Sequence, residues 1–363
     1  MKKNLFFAAL ASIALVGCTS DETVDQVKET QKIKFDNPVM SLSTKAPGFE
    51  GEIVGSEYPA AEKFNVYARV YTGTFNGWTA SSEVADFWTN SETASKGTSG
   101  YWETTGSHYW PNDPYKLAFA AYSPSTIVTD GDAASITYGQ TGFSIVDFKT
   151  QDVLDKQYDL MYSSRNVDCD KTNCLSGVPV KFNHALSSVV FGAIENVDGK
   201  TYRITDFEIE GTFIDEADFN ENITETPAVA GVSPYSETSA PAWTNPSVAV
   251  AKNYAPSAFV AFNVPESANL FTSGESALLP IPQDVPADAK IILTYEVTQD
   301  GSTLDYTKEI KLSDFKDSSS NTITKWEIGK RYKYIIHFGG TSKIYFDPSV
   351  NDWVDGGTVQ VTI

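Results

Sequence analysis

Polar and apolar side chains alternate at every second position in a series of short runs, the period of a strand with one buried face. Lys32-Ile33-Lys34-Phe35 is the first such run, and Tyr202-Arg203-Ile204-Thr205-Asp206-Phe207-Glu208-Ile209 is the cleanest. Phe64 to Tyr71 carries apolar residues on both faces, as a well-buried strand does. Lys116 to Tyr122 is a short apolar run stopped by Ser123-Pro124, and Asp159 to Ser163 is another. Ser187 to Ile194, Ala258 to Phe262, Ile291 to Val297, Tyr332 to Phe338 and Thr358 to Ile363 repeat this texture in the second half. Long amphipathic helices are missing, and helical character is confined to short pieces around Asn183-His184-Ala185-Leu186 and from Leu312 to Phe315. Many short strands separated by turn residues predict an all-β protein built of sandwiches. Ser43 to Gly48 reads as a loop, and Ser176-Gly177-Val178-Pro179 is the best domain boundary.

The amino terminus has a different pattern. Lys2 and Lys3 precede an apolar run from Leu5 to Val16, too short for a bilayer but suited to a signal peptide. The run ends in Leu15-Val16-Gly17-Cys18, which resembles a lipobox, with an ordinary signal peptide and a chance cysteine as the alternative. The chain then divides into a lipoprotein signal peptide at 1–17, a lipidated tether at 18–31, an amino-terminal sandwich at 32–177 and a carboxy-terminal sandwich at 178–363. Lipid on Cys18 anchors a protein to a membrane without spanning it.

Composition narrows the chemistry. The net charge of −20 becomes −22 once the leader is removed, with 25 basic against 47 acidic side chains left. That balance argues against nucleic acid and against basic docking on anionic lipid, because both draw on clustered Lys and Arg. The only histidines are His108, His184 and His337, too few for a multi-histidine catalytic or metal site. No phosphate loop and no G-x-S-x-G elbow occurs. We therefore expect no enzyme, no catalytic residue, no metal and no cofactor. The acidic run Asp215 to Glu221 reads as a solvated loop. Cys169 and Cys174 sit in a turn-rich loop where a disulfide is favoured over free thiols or a metal; the twelfth position of a calcium loop begun at Asp168 is Pro179, where a glutamate is needed. Trp78, Trp88, Trp102 and Trp110 cluster in the first half. They are core packing or, as a minority reading, loop aromatics for stacking on glycan rings.

Several ordered stretches carry a family resemblance: the lipobox, Tyr109-Trp110-Pro111, Leu117 to Pro124, Asp159 to Tyr162, Phe182 to Ser187, Leu278 to Gln283, Trp326 to Tyr334 and Val350 to Trp353. The set resembles the fimbrillin family, the type V pilins of Bacteroidota-type bacteria. The resemblance implies two transthyretin-like β-sandwich domains in tandem, export as an acylated lipoprotein, and a place on the outer membrane and cell surface, in a pilus. The acidic residues after Cys18 fit that delivery. It implies protease-triggered strand exchange, with a cut after a basic residue in an early loop. Lys45 matches that position, where arginine is the commoner residue. The donor-strand candidate is the last run, whose Val359, Val361 and Ile363 share one face; the alternative is that it closes its own domain. Implied partners are other fimbrillin subunits, anchor or tip proteins, and surface glycans or proteins of a host or another bacterium. The runner-up is a glycan-binding surface lipoprotein that does not polymerise.

Overall fold

A computed structural model describes residues 32–40, 58–78, 82–195, 199–230, 232–265, 269–272, 276–317, 319–339 and 354–362. The chain is nearly all β, as its alternation predicts. A nine-stranded sheet has its main path through Val39–Met40, Lys181–His184, Met161–Ser163, Tyr115–Ser123, Lys63–Thr72, Glu92–Lys96 and Trp102–Thr104. Tyr115–Ser123 lies near its middle and is covered on both faces, which is why its sequence is a continuous apolar run. Leu117, Phe119 and Ala121 face one core, with Phe64, Val66 and Trp102. Ala120 and Tyr122 face the other, with Phe143, Ile145, Phe148 and Phe219.

That second core is closed by a four-stranded sheet ordered Ala242–Thr244, Glu216–Asn220, Gly142–Lys149, Ser135–Gly139. Sheet pairing thus crosses the boundary read after Gly177: Ala217 lies opposite Phe148 and Phe219 opposite Ile145. The nine-stranded sheet likewise takes its Lys181–His184 strand from beyond that point.

The rest of the second half is a sandwich of two sheets. One runs Asn269–Thr272, Ser188–Glu195, Lys330–Phe338, Val354–Thr362, with the last three parallel. The other runs Val250–Tyr254, Lys200–Phe213, Lys290–Gln299, Ser302–Lys311. Their inner faces share a core in which Phe191 meets Phe207 across the gap at 4.9 Å and Tyr295 meets Phe338 at 5.1 Å.

Two local expectations are corrected. The piece around Asn183 is not helical: Lys181–His184 pairs with Met161–Ser163 as a strand, and His184 turns inward to Asp159 at 3.0 Å. The run Asp215 to Glu221 is not a solvated loop: Glu216–Asn220 is a strand whose Ala217 and Phe219 are buried, and Glu221 beyond it is buried too. The piece near Leu312 is a single turn of 3-10 helix, Leu312–Asp314. Among the described residues no helix is long and apolar enough to cross a membrane.

Candidate functional site

The feature that stands apart is the place of residues 32–40. Val39–Met40 is a strand paired in parallel with Lys181–His184, while the alternating residues before it are extended and joined to the sheet by single bridges at Lys32 and Phe35. The Phe35 N–H donates to the Trp102 carbonyl at 2.8 Å, and the Trp102 N–H returns to Phe35 at 3.0 Å. On the opposite side the Asp36 N–H donates to the Val178 carbonyl and the Val178 N–H to the Lys34 carbonyl, both at 2.9 Å. One side is antiparallel and the other parallel. Trp102–Thr104 is one end of the main path of the nine-stranded sheet, and Val39–Met40 of this same segment is the other, beside Lys181–His184; residues 33–36 thus bridge from Trp102 to Val178.

Side chains fix the register. Ile33 and Phe35 are fully buried. The Phe35 ring meets Phe119 edge-on at 5.5 Å and Phe64 at 6.1 Å. Lys32 and Lys34 point the other way, Lys32 to Glu103 at 3.1 Å and Lys34 over the Tyr101 ring at 3.5 Å. Gly177 lies so close that a Cβ there would stand 3.0 Å from the Asp36 backbone nitrogen, and its φ of 134° is one that only glycine takes readily. Removing the segment would leave two unpaired sheet edges and an apolar slot floored by Phe64 and Phe119.

A family model described as fimbrillin-like matches residues 54–353. The chain belongs to the fimbrillin-like family. The inserted segment 32–40 and the last strand, Val354–Thr362, flank the matched region. Among solved structures, this fimbrillin-like chain is similar to a fimbrial protein from Bacteroides vulgatus at 17% identity and a TM-score of 0.49, over 84% of this chain and 94% of that one. It is also similar to a candidate cell-adhesion protein from Bacteroides uniformis at 15% identity and a TM-score of 0.42, over 85% and 93% of the two chains. No curated protein matches it.

The residues singled out in the sequence are placed unequally in this fimbrillin-like fold. Cys18, Lys45 and Ile363 lie outside the described residues. Val359 is buried and Val361 half-buried, both on a strand that pairs in parallel with Lys330–Phe338 of the same chain. Trp88, Trp102 and Trp110 are 6%, 1% and 6% exposed, so their ring faces pack against protein. Trp78 is half-buried, with the Arg69 and Arg165 guanidiniums each 5.2 Å from its ring. Trp88, Trp102 and Trp110 thus lie where core packing puts them. The Cys169 and Cys174 thiols are buried with their sulfurs 2.6 Å apart.

One group had no sequence signal. Arg165 is fully buried and donates to the Tyr138 hydroxyl at 2.7 Å, to Glu225 at 2.7 Å and to the Gln140 carbonyl at 2.9 Å, with Glu237 at 3.5 Å. It fastens the hairpin of Ile223–Thr226 and Ser236–Ser239 to the first half. Its two acids stand about 60 and 72 positions further along, a separation that carries no local pattern.

Two buried carboxyls give the protein a pH dependence. Burial pushes Glu62 and Glu221 each up to about 7; for Glu221, the Phe143 N–H and the nearby Arg165 offset only part of the effect. An unfolded glutamate titrates near ~4.3. Between that value and 7 the folded chain holds more protons than the unfolded one, so stability falls as pH rises through this window. We expect a loss of about 1–3 kcal/mol per carboxyl between pH 5 and 8, read as a lower melting temperature. Glu62→Gln and Glu221→Gln together should flatten the profile; an unchanged slope in the double variant would refute the assignment.

Proposed function

We propose that this fimbrillin-like chain is a structural and adhesive subunit of a cell-surface type V pilus. It is exported as a lipoprotein through Cys18 and assembled by strand exchange after cleavage at Lys45. The observation that carries the reading is the seating of residues 33–36, bonded through the backbone on both sides. Lys45 lies just beyond this segment in the chain, so a cut there severs the strand covalently from everything that follows it. A strand from another subunit then restores the backbone hydrogen bonds of both edges, and its alternate side chains fill the places of Ile33 and Phe35. Such a contact is head-to-tail and need not close, so it grows a filament. The donor is the last strand, carrying Val359, Val361 and Ile363. To donate, it must leave Lys330–Phe338, which costs the burial of Val359 and is repaid by entry into a slot of similar character. The partners are other fimbrillin subunits and anchor or tip proteins, and the membrane is met through the lipid alone.

Limited trypsin digestion of the mature protein tests this. The expected result is a new amino terminus at Ala46 together with a ladder of detergent-resistant oligomers, absent from Lys45→Ala and from a chain ending at Trp353. Complete cleavage at Lys45 with monomers throughout would overturn strand exchange.

A further inference from the structure

Cys169 ends the strand Asn166–Cys169, which pairs with Tyr115–Ser123 near the middle of the nine-stranded sheet. Cys174 lies five positions on, across a turn that is tied at almost every polar group. Asp170 accepts the Thr172 N–H at 2.7 Å and the Asn173 N–H at 3.1 Å. Asn173 accepts the Asp170 N–H at 2.9 Å and donates to the Asp168 carbonyl at 2.7 Å. The Cys174 N–H closes the turn on the Asp170 carbonyl at 3.0 Å. Asp168, at a φ of 59°, is itself held by the Phe75 N–H at 2.9 Å and by Lys116 at 3.6 Å. The outcome is two thiols in the same core as Ile33, Phe35 and Val178, with sulfurs 2.6 Å apart, inside the contact distance of two unbonded sulfur atoms. From Cys174 the chain passes through Gly177, which donates to the Cys174 carbonyl at 3.0 Å, directly into Val178, the backbone wall against which residues 34–36 are bonded.

We propose that Cys169 and Cys174 are joined by a disulfide in the exported protein, and that this bond braces the Val178 wall of the slot. The co-reactant is a disulfide oxidant of the kind that serves oxidising compartments. The Cys174 thiolate attacks one sulfur of the oxidant and expels a thiol. The Cys169 thiolate then attacks the Cys174 sulfur of the mixed disulfide and expels the second. One S–S bond is broken and one is formed. The two protons and two electrons lost by the cysteines leave on the oxidant as its two thiols. The hydrogen bond with Cys169 lowers the Cys174 thiol, and the same contact together with burial raises Cys169, so Cys174 is the sulfur that ionises first. With the ring closed, the turn from 169 to 174 stays fastened to the middle of the sheet when residues 32–40 are absent. The bracing role in exchange rests on the strand-exchange reading, whereas the bond itself does not.

Trypsin separates the two cysteines, because it cuts after Arg165, Lys171 and Lys181. The exported mature protein is denatured, alkylated with iodoacetamide without reductant, and digested. We expect Asn166–Lys171 and Thr172–Lys181 as one linked species that a phosphine splits into two. Both peptides alkylated before reduction would overturn the disulfide. Reduction should also lower the melting temperature by about 3 °C, the scale for closing a small ring in a chain of this size. The Cys169→Ser/Cys174→Ser variant should melt at the reduced value whatever the redox buffer. Linked peptides with a melting temperature indifferent to reductant would overturn the bracing role. Because the mapping uses uncleaved protein, oligomer ladders without linked peptides, or the reverse, would separate failure of this inference from failure of strand exchange.

Discussion

Arg165→Ala is expected to lower the stability of the folded chain by about 3–5 kcal/mol. The guanidinium has no exposed surface, and its removal strands Glu225, whose carboxylate is 7% exposed. Glu225 would keep its two contacts to the Trp78 N–H at 3.0 and 2.9 Å but lose its cation. The rings of Phe75, Trp78 and Tyr138, at 5.5, 5.2 and 5.7 Å from the guanidinium carbon, would face a hole instead of a flat cation. Arg165→Lys should recover little, because an ammonium cannot reach Tyr138, Glu225 and Gln140 at once from one fork. Urea unfolding decides the point. Adding Glu225→Gln to Arg165→Ala should restore part of the loss, since the charge left unpaired is then gone. A double variant as unstable as the sum of the singles would argue against a coupled network.

Phe35→Ala is expected to cost about 3–5 kcal/mol, the range for emptying a buried aromatic site. A surface-like segment would lose almost nothing, so the size of the effect measures how completely residues 32–36 belong to the core. Val39→Ala serves as the comparison, since Val39 is 45% exposed and should change stability by less than about 0.5 kcal/mol. Phe35→Ala should also speed amide exchange at Trp102 and Val178, whose N–H groups are bonded to this segment from its two sides. A loss below about 1 kcal/mol in Phe35→Ala would show that the slot closes without this segment.

The strands most legible in the sequence are those buried on both faces or on one clean face. Tyr115–Ser123 and Ser188–Glu195 announce themselves because neither face meets water, and Lys200–Phe213 because its buried positions recur at nearly every second residue. Glu216–Asn220 was hidden because its inward residues are only Ala217 and Phe219, set among acids that solvent tolerates and the sheet merely permits. Around Lys181–His184 the residues His, Ala and Leu suit a helix locally, but pairing with Met161–Ser163 outweighs that preference. Ser302–Lys311 carries no sequence signal, because nearly every residue in it is exposed and its strand form comes from its partner Lys290–Gln299. The segment Lys32 to Phe35 could be read as a strand, but nothing in four residues says that it joins Trp102 to Val178. Those neighbours lie roughly 70 and 145 positions away, and such a pairing is a property of the folded chain alone.

The four-stranded sheet that pairs Gly142–Lys149 with Glu216–Asn220 also bears on how the molecule comes into being. The chain is made amino terminus first, and Phe143, Ile145 and Phe148 then have no cover until Ala217 and Phe219 follow them. Contacts spanning so much chain close slowly, because the loop entropy is lost before the burial is gained. A fragment ending at Gly177 should therefore remain expanded and sensitive to protease, even though it holds most of the nine-stranded sheet. Folding of the first half thus waits on the strand Glu216–Asn220 of the second.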